Sequence, residues 1–274
     1  MKVAYFGYDN VITCLYQLIE KGYDIQGIFT GKPCAANEKI RSCAAQKNIA
    51  LIAGKPDKNL IQKYLEKGVE LFLSAEYPWE IPLIEQVKYA INCHPSWLPY
   101  AKGKTPLPWI LLNHPEYAGL SFHKMTETFD AGDIILQKKI NITENETYDT
   151  LSARIYILAA SLTGELLDNL NQLYIKATPQ PDDKSLAEIT EQDRTINWGE
   201  DTQTILNQIK AFGSLGILAT IQQKQVTLIQ ASGFKENHSF KPGAVIQDNF
   251  QNLTIACSDG FIVIQKNSIF NSNL

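Results

Sequence analysis

The 274-residue chain predicts an α/β fold, with an N-terminal domain built on a parallel sheet and a small β-rich domain behind it. Two patterns carry this. In the first part, short apolar runs alternate with amphipathic segments, as strands do when helices return the chain to a parallel sheet covered on both faces. In the last part, one helical stretch gives way to short strands divided by Pro242-Gly243 and Asp259-Gly260 turns, the pattern of a closed antiparallel domain.

Taken in order, Val3–Phe6 reads as the first strand, 11–21 as a helix and 25–30 as the second strand. A helix over 38–47, a short strand over 49–52 and a helix over 58–67 follow, then strands at 69–74 and 89–92 separated by 81–87. Residues 117–125 and 134–140 extend the sheet. Residues 147–173 read as one long amphipathic helix, because Leu151, Ile155, Leu158, Leu162, Leu166 and Leu170 recur near the helical period. That stripe is a core face. A polar, proline-marked stretch from Ala177 to Lys184 divides the chain into domains of 1–180 and 190–274. Beyond it come a helix over 202–212 and strands near 217–221, 226–230, 244–246, 253–257 and 261–264.

Bulk properties describe an ordinary globular chain with 45% hydrophobic and 20% charged residues. No window reaches the roughly 18 apolar residues of a membrane span, and the N-terminus has no signal-peptide architecture, which points to the cytoplasm. The five cysteines, 14, 34, 43, 93 and 257, include no CxxC pair and are expected to be reduced thiols. The four histidines, 94, 114, 123 and 238, lack metal-ligand spacing, so no metal is expected; His123 reads as a structural histidine. A net charge of −4 offers no basic field and argues against a nucleic-acid partner. Phe6-Gly7-Tyr8 carries one glycine and not the three of a dinucleotide fingerprint, so Gly7 is read as allowing a tight turn near substrate.

The chemistry concentrates between Ile91 and Ile134. Asn92 and His94 stand two residues apart at a strand end, so they share one face while Cys93 takes the other. Pro95, Pro99, Gly103 and Pro106 break regular structure directly after them. Asp130 follows in an Asp-Ala-Gly turn, a carboxylate that a loop could bring to the imidazole. Polar groups at the carboxyl end of a strand beside an irregular loop are where open α/β sheets hold their ligands.

Asn92-Cys93-His94, Ser96-Trp97-Leu98-Pro99, Lys102-Gly103-Lys104 and Asp130-Ala131-Gly132 together resemble the signature of the folate-dependent formyltransferases. Ile196-Asn197-Trp198 and the two turn dipeptides resemble the C-terminal domain of its tRNA and aminoarabinose members. The resemblance covers essentially the whole chain. It implies a Rossmann-like formyltransferase domain with a small β-barrel-like C-terminal domain. It also implies N10-formyltetrahydrofolate as co-substrate and a primary amine as acceptor.

On that resemblance Asn92, His94 and Asp130 are the catalytic set. His94 takes the amine's proton, Asn92 donates to the oxyanion, and Asp130 orients His94. The folate would lie along Ser74, Ala75, Glu76 and Tyr77, with Tyr77 and Trp79 lining the pocket or serving the core. Gly7, Tyr8, Lys102 and Lys104 would meet the acceptor. Pro95 and Lys102 depart from the small residue and the arginine that members often carry there, and a lysine lacks the bidentate fork of arginine.

The insertion after the second strand is short, and clustered Lys and Arg are few. The acceptor expected is therefore a nucleotide-linked amino sugar for a surface polysaccharide such as lipopolysaccharide O-antigen. The alternatives are a methionyl-tRNA formyltransferase, which the segment 188–198 resembles more closely, a glycinamide ribonucleotide enzyme, and a non-catalytic subunit. A homodimer is left open.

Overall fold

A computed structural model of the protein describes residues 1–181 and 185–271. Asp182, Asp183 and Lys184, the end of the expected domain boundary, lie outside the described residues. In chain order the elements are β1 (Lys2–Gly7), α1 (Thr13–Glu20), β2 (Asp24–Thr30), α2 (Glu38–Gln46), β3 (Leu51–Ala53) and α3 (Lys58–Glu66). They continue with β4 (Val69–Ala75), β5 (Tyr89–His94), α4 (Pro106–Asn113), β6 (Gly119–Lys124), β7 (Ile134–Lys139), α5 (Tyr148–Asp168) and α6 (Leu170–Ile175). Helix α7 (Thr202–Phe212) and strands β8 (Ile217–Ile221), β9 (Lys224–Leu228), β10 (Ser232–Lys235), β11 (Val245–Asp248), β12 (Asn252–Ala256), β13 (Gly260–Gln265) and β14 (Ile269–Asn271) complete the chain.

Two compact units result. One contains Met1–Pro106, Glu116–Asn141 and Ser152–Leu186; the other joins Leu107–Pro115 and Ile142–Leu151 to the chain from Ala187 on. The first holds a seven-stranded sheet in the order β3-β2-β1-β4-β5-β6-β7. Strands β1 to β5 are parallel, and β6 and β7 are added antiparallel at one edge. The order reverses between β1 and β4, and the crevice at such a reversal is where open α/β sheets bind ligands. Both faces of the sheet are covered, so β1 and β4 are apolar on both sides: Val3, Ala4, Tyr5 and Phe6, and Leu71, Phe72 and Leu73, are fully buried.

One expected helix is interrupted and another element was not anticipated. The helix anticipated over 147–173 is interrupted at Asn169, whose backbone leaves the helical region while its side chain donates to the Glu165 carbonyl. A short amide side chain competing for backbone groups is the reason. The leucine stripe is core, with Leu151, Ile155, Leu162, Leu166 and Leu170 buried and Leu158 half-buried. Helix α4 was not anticipated, because Pro106 and Pro108 punctuate its start. Prolines in a first turn remove only N–H groups that have no helical partner.

The second unit packs α7 against two antiparallel sheets, β10-β13-β12-β11 and β14-β9-β8. Asp201 caps α7 by accepting from the N–H groups of Gln203 and Thr204 at 2.9 and 3.0 Å. Its apolar face, Ile205, Ile209 and Phe212, meets Ile217, Leu228, Ile255, Ile262 and Ile264, all nearly solvent-free. Strands β10 and β14 escape sequence reading because both are short and their hydrophobic pattern is broken. Among the described residues no helix is long and apolar enough to cross a membrane.

Candidate active site

Strand β5 runs two residues further than its apolar run, so His94 still belongs to the ladder. Asn92 pairs with Ser74 of β4 on one side and His123 of β6 on the other, and His94 pairs with Ser121. Asn92 and His94 therefore project on one face and Cys93, 2% exposed, on the other. Beyond His94 the chain makes a tight loop that Ser121 organises. The Ser121 hydroxyl donates to the Ser96 carbonyl at 2.7 Å and accepts from the Leu98 N–H at 3.1 Å, while Tyr100 stacks on Tyr117 at 4.5 Å.

That loop returns Ala101 to the imidazole. Nε2 of His94 lies 2.9 Å from the Ala101 carbonyl, which can only accept, so Nε2 carries the hydrogen. Nδ1 then holds the lone pair, and it faces Oδ1 of Asp130 at 3.4 Å. Asp130 reaches the site from the β6–β7 connection. Its backbone is left-handed at φ +55°, which Asp tolerates, and its second oxygen accepts the Gly103 N–H at 3.0 Å. Gln180 braces this turn by donating to the Asp130 and Gly132 carbonyls. A side chain at Gly132 would collide with the Lys124 carbonyl, which accounts for glycine there.

The fold adds a fourth member that sequence reading set aside. His123 lies directly across the ladder from Asn92. Its Nδ1 faces the Lys124 carbonyl at 2.7 Å, so Nε2 presents a lone pair that receives Nδ2 of Asn92 at 3.1 Å. The same Nε2 is 3.4 Å from Oδ1 of Asp130. Asn92 also faces Asp130 at 3.4 Å, a long bond that leaves this hydrogen available to an incoming acceptor. The only signal in sequence was the even spacing of Ser121 and His123 on a strand antiparallel to β5, and pairing register is not legible from one strand.

Burial sets the charges. Desolvation pushes His94 below its ordinary 6.5, although Asp130 and the Ala101 carbonyl oppose the change. Burial would raise the Asp130 carboxyl, but His94, His123 and the Gly103 N–H together hold it well below the usual carboxylate range. At neutral pH the site is a neutral imidazole edge against a fixed carboxylate. This is an arrangement suited to taking a proton at Nδ1, with the resulting imidazolium stabilised in place.

The other expected residues divide. Lys102 is 5% exposed, next in sequence to the two residues that bond His94 and Asp130, and it joins no ion pair among the described residues. Lys104 is exposed. Gly7 ends β1, and a side chain there would strike the Ala75 carbonyl, so glycine serves the close approach of β1 and β4 rather than a turn. Tyr8 is half-buried. Ser74 and Ala75 end β4; the ladder stops at Ala75, so the main chain of Glu76 and Tyr77 runs past the pairing. The Tyr77 ring packs edge-on against Phe6 and Trp79, and its hydroxyl donates to the Gly54 carbonyl at 2.7 Å. Its side chain serves the core. Among the described residues no group of three His, Cys, Asp or Glu could hold a metal ion.

Comparison with known proteins matches the chain to a family. The formyl transferase model matches residues 29–163, and the model for the formyl transferase C-terminal domain matches 188–270. The chain is 27% identical over 278 residues to methionyl-tRNA formyltransferase of Listeria monocytogenes, covering 96% of this chain and 89% of that protein. Among solved structures it is similar to an N-formyltransferase from Helicobacter canadensis in complex with folinic acid and dTDP-3-aminofucose. There the TM-score is 0.70 at 20% identity, with 97% of this chain and 98% of that one covered. HypX from Aquifex aeolicus matches with TM-score 0.73 at 19% identity over 96% of this chain, which spans only 43% of HypX. At these identities the structural likenesses speak to fold.

Proposed function

The chain belongs to the formyl transferase family, and on that footing we propose that it moves a formyl group from N10-formyltetrahydrofolate to the primary amine of a nucleotide-linked amino sugar. The donor supplies the formyl carbon; the chain supplies proton handling and charge stabilisation. His94 removes a proton from the attacking nitrogen at Nδ1, since an ammonium has no lone pair. As the new C–N bond forms, Asn92 releases its long bond to Asp130 and donates that N–H to the developing oxyanion, where one such donor is worth about 3–4 kcal/mol. Asp130 holds the imidazolium until its proton passes to the departing folate nitrogen as the old C–N bond breaks, and the other proton of the attacking ammonium leaves to solvent as the amide forms. The neighbouring proteins' folate and folinic acid ligands, and the unpaired main chain beyond β4, support the choice of donor.

The observation that carries the acceptor class is charge. From Ala187 on, Arg194, Lys210, Lys224, Lys235, Lys241 and Lys266 stand against eight Asp and Glu, a poor surface for a tRNA backbone. Close to the reacting groups, Lys102 is buried and joins no ion pair among the described residues, and a lysine so placed is the kind of group a diphosphate would pair with. A surface polysaccharide precursor and a cytoplasmic site of reaction belong to the same reading.

A methionyl-tRNA acceptor is the second reading, favoured by a curated relative that covers 96% of the chain. Incubating the protein with N10-formyltetrahydrofolate and a panel of nucleotide-linked amino sugars, with methionyl-tRNA in parallel, decides between them. Turnover of one sugar and not of the tRNA is expected; turnover of the tRNA alone would overturn the sugar reading and leave the catalytic roles intact.

A further inference from the structure

Glu76 is a rim residue whose side chain the reaction leaves without a task. It stands one residue past the β4 ladder at φ +62°, a left-handed position that favours glycine. From there its carboxyl folds back onto the loop after β1. Oε1 accepts from Nδ2 of Asn10 at 3.1 Å, and the Asn10 backbone N–H also faces the carboxyl. Oε2 is out of solvent with no partner among the described residues. The hydroxyl of Tyr5, fully buried on β1, is unpartnered in the same way, and it crowds the space beside Gly7.

The titratable groups around this carboxyl are Asp9 in the loop, Tyr5 on β1 and Cys93 on β5. None is a cation. Asp9 is itself committed to the start of α2, accepting the N–H groups of Lys39 and Ile40 at 2.8 and 2.9 Å. The loop from Gly7 to Val11 is thus anchored to α2 by Asp9 and to β4 by the contact between Asn10 and Glu76.

We propose that Glu76 is a positioning residue: its clasp on Asn10 ties the end of β4, where the formyl donor would lie, to the loop after β1, where the acceptor would lie, and the clasp tightens when its carboxyl ionises. The proposal rests on the donor-binding reading of residues 74–77. An ionised carboxylate accepts the two Asn10 N–H groups more strongly than the neutral acid does. Burial, opposed by the Asn10 hydrogen bonds, pushes the Glu76 carboxyl up to about 7, so ionisation falls within the physiological range. The sign is definite. A carboxyl raised in the folded state stabilises the fold below its unfolded value, and that contribution is lost as pH rises toward the folded value.

Glu76→Gln keeps a neutral hydrogen-bonding side chain, and Glu76→Gly keeps the left-handed backbone without the clasp. In steady-state kinetics from pH 6 to 8, the wild-type KM for N10-formyltetrahydrofolate should fall several-fold with pH. The Gln variant should hold KM near the low-pH wild-type value throughout. The Gly variant should show a KM about tenfold higher at every pH with kcat changed far less. Asn10→Ala should match the Gly variant, and the double variant should add nothing to either. In thermal melts the wild-type Tm should fall between pH 5 and 7.5, and the Gln variant should not.

A Gly variant with wild-type KM, a Gln variant that keeps the pH dependence, or additive Asn10 and Glu76 effects would overturn the clasp while leaving donor binding intact. A wild-type protein that binds no folate would overturn the donor reading and the clasp's role together, and the melts would still report whether the contact exists.

Discussion

Asp130 is contested by four neighbours: Nδ1 of His94, Nε2 of His123, the amide of Asn92 and the Gly103 N–H. The Gly103 N–H, the Asn92 amide and the positive charge an imidazole gains on protonation hold the carboxyl ionised, which leaves His94 as the proton acceptor. His94 works only as the neutral ring, and burial lowers its pKa below 6.5. Turnover should therefore rise with pH through a value under 6.5 and level off above it. His94→Asn should cut kcat by about 10²–10⁴ with folate affinity, read by calorimetry, nearly unchanged. Asp130→Asn removes the charge that opposes burial, so besides lowering turnover it should move the acid limb to lower pH. A limb that moves upward would refute the assignment of that limb to His94.

Between elements, the site depends on how closely strands approach at their carboxyl ends. β1 and β4 come together where Gly7 meets the Ala75 carbonyl, and no flexible side chain can yield there. Gly7→Ala should cost about 1–3 kcal/mol by overpacking. For a protein of this size about 2–4 °C of Tm accompanies each kcal/mol, so calorimetry should find a clear drop. The antiparallel pairing of β5 with β6 matters equally, because it delivers His123 opposite Asn92. A one-residue slip of β6 in that register would turn His123 to the face opposite Asn92 and His94.

For the molecule as a whole, the reversal of strand order between β1 and β4 places every rim residue at one end of the sheet. The unit from Ala187 on is acidic on balance, and this bears on partners more than on fold. Fluorescence anisotropy with labelled tRNA should find only weak binding, of the order of 10⁻⁴ M or weaker near 0.15 M salt. Tight binding with a steep salt slope would point to a basic patch on the folded surface that the charge count conceals.

The fold of the first unit was legible because strands and helices there carry their own periodicities, and a parallel sheet needs continuous apolar runs that few other structures tolerate. Asn92 and His94 could be placed on one face from spacing alone, since side chains alternate strictly along a strand. Asp130 could be named through its motif. What the tertiary structure alone decided lies between segments distant in sequence: the pairing of His123 with Asn92, the burial of Lys102, and the reach of Glu76 back to Asn10. Local propensity does not encode strand register or the path of a left-handed turn. They follow from which surfaces the packed sheet brings within a few ångströms of each other, and that contact is made only once the chain has folded.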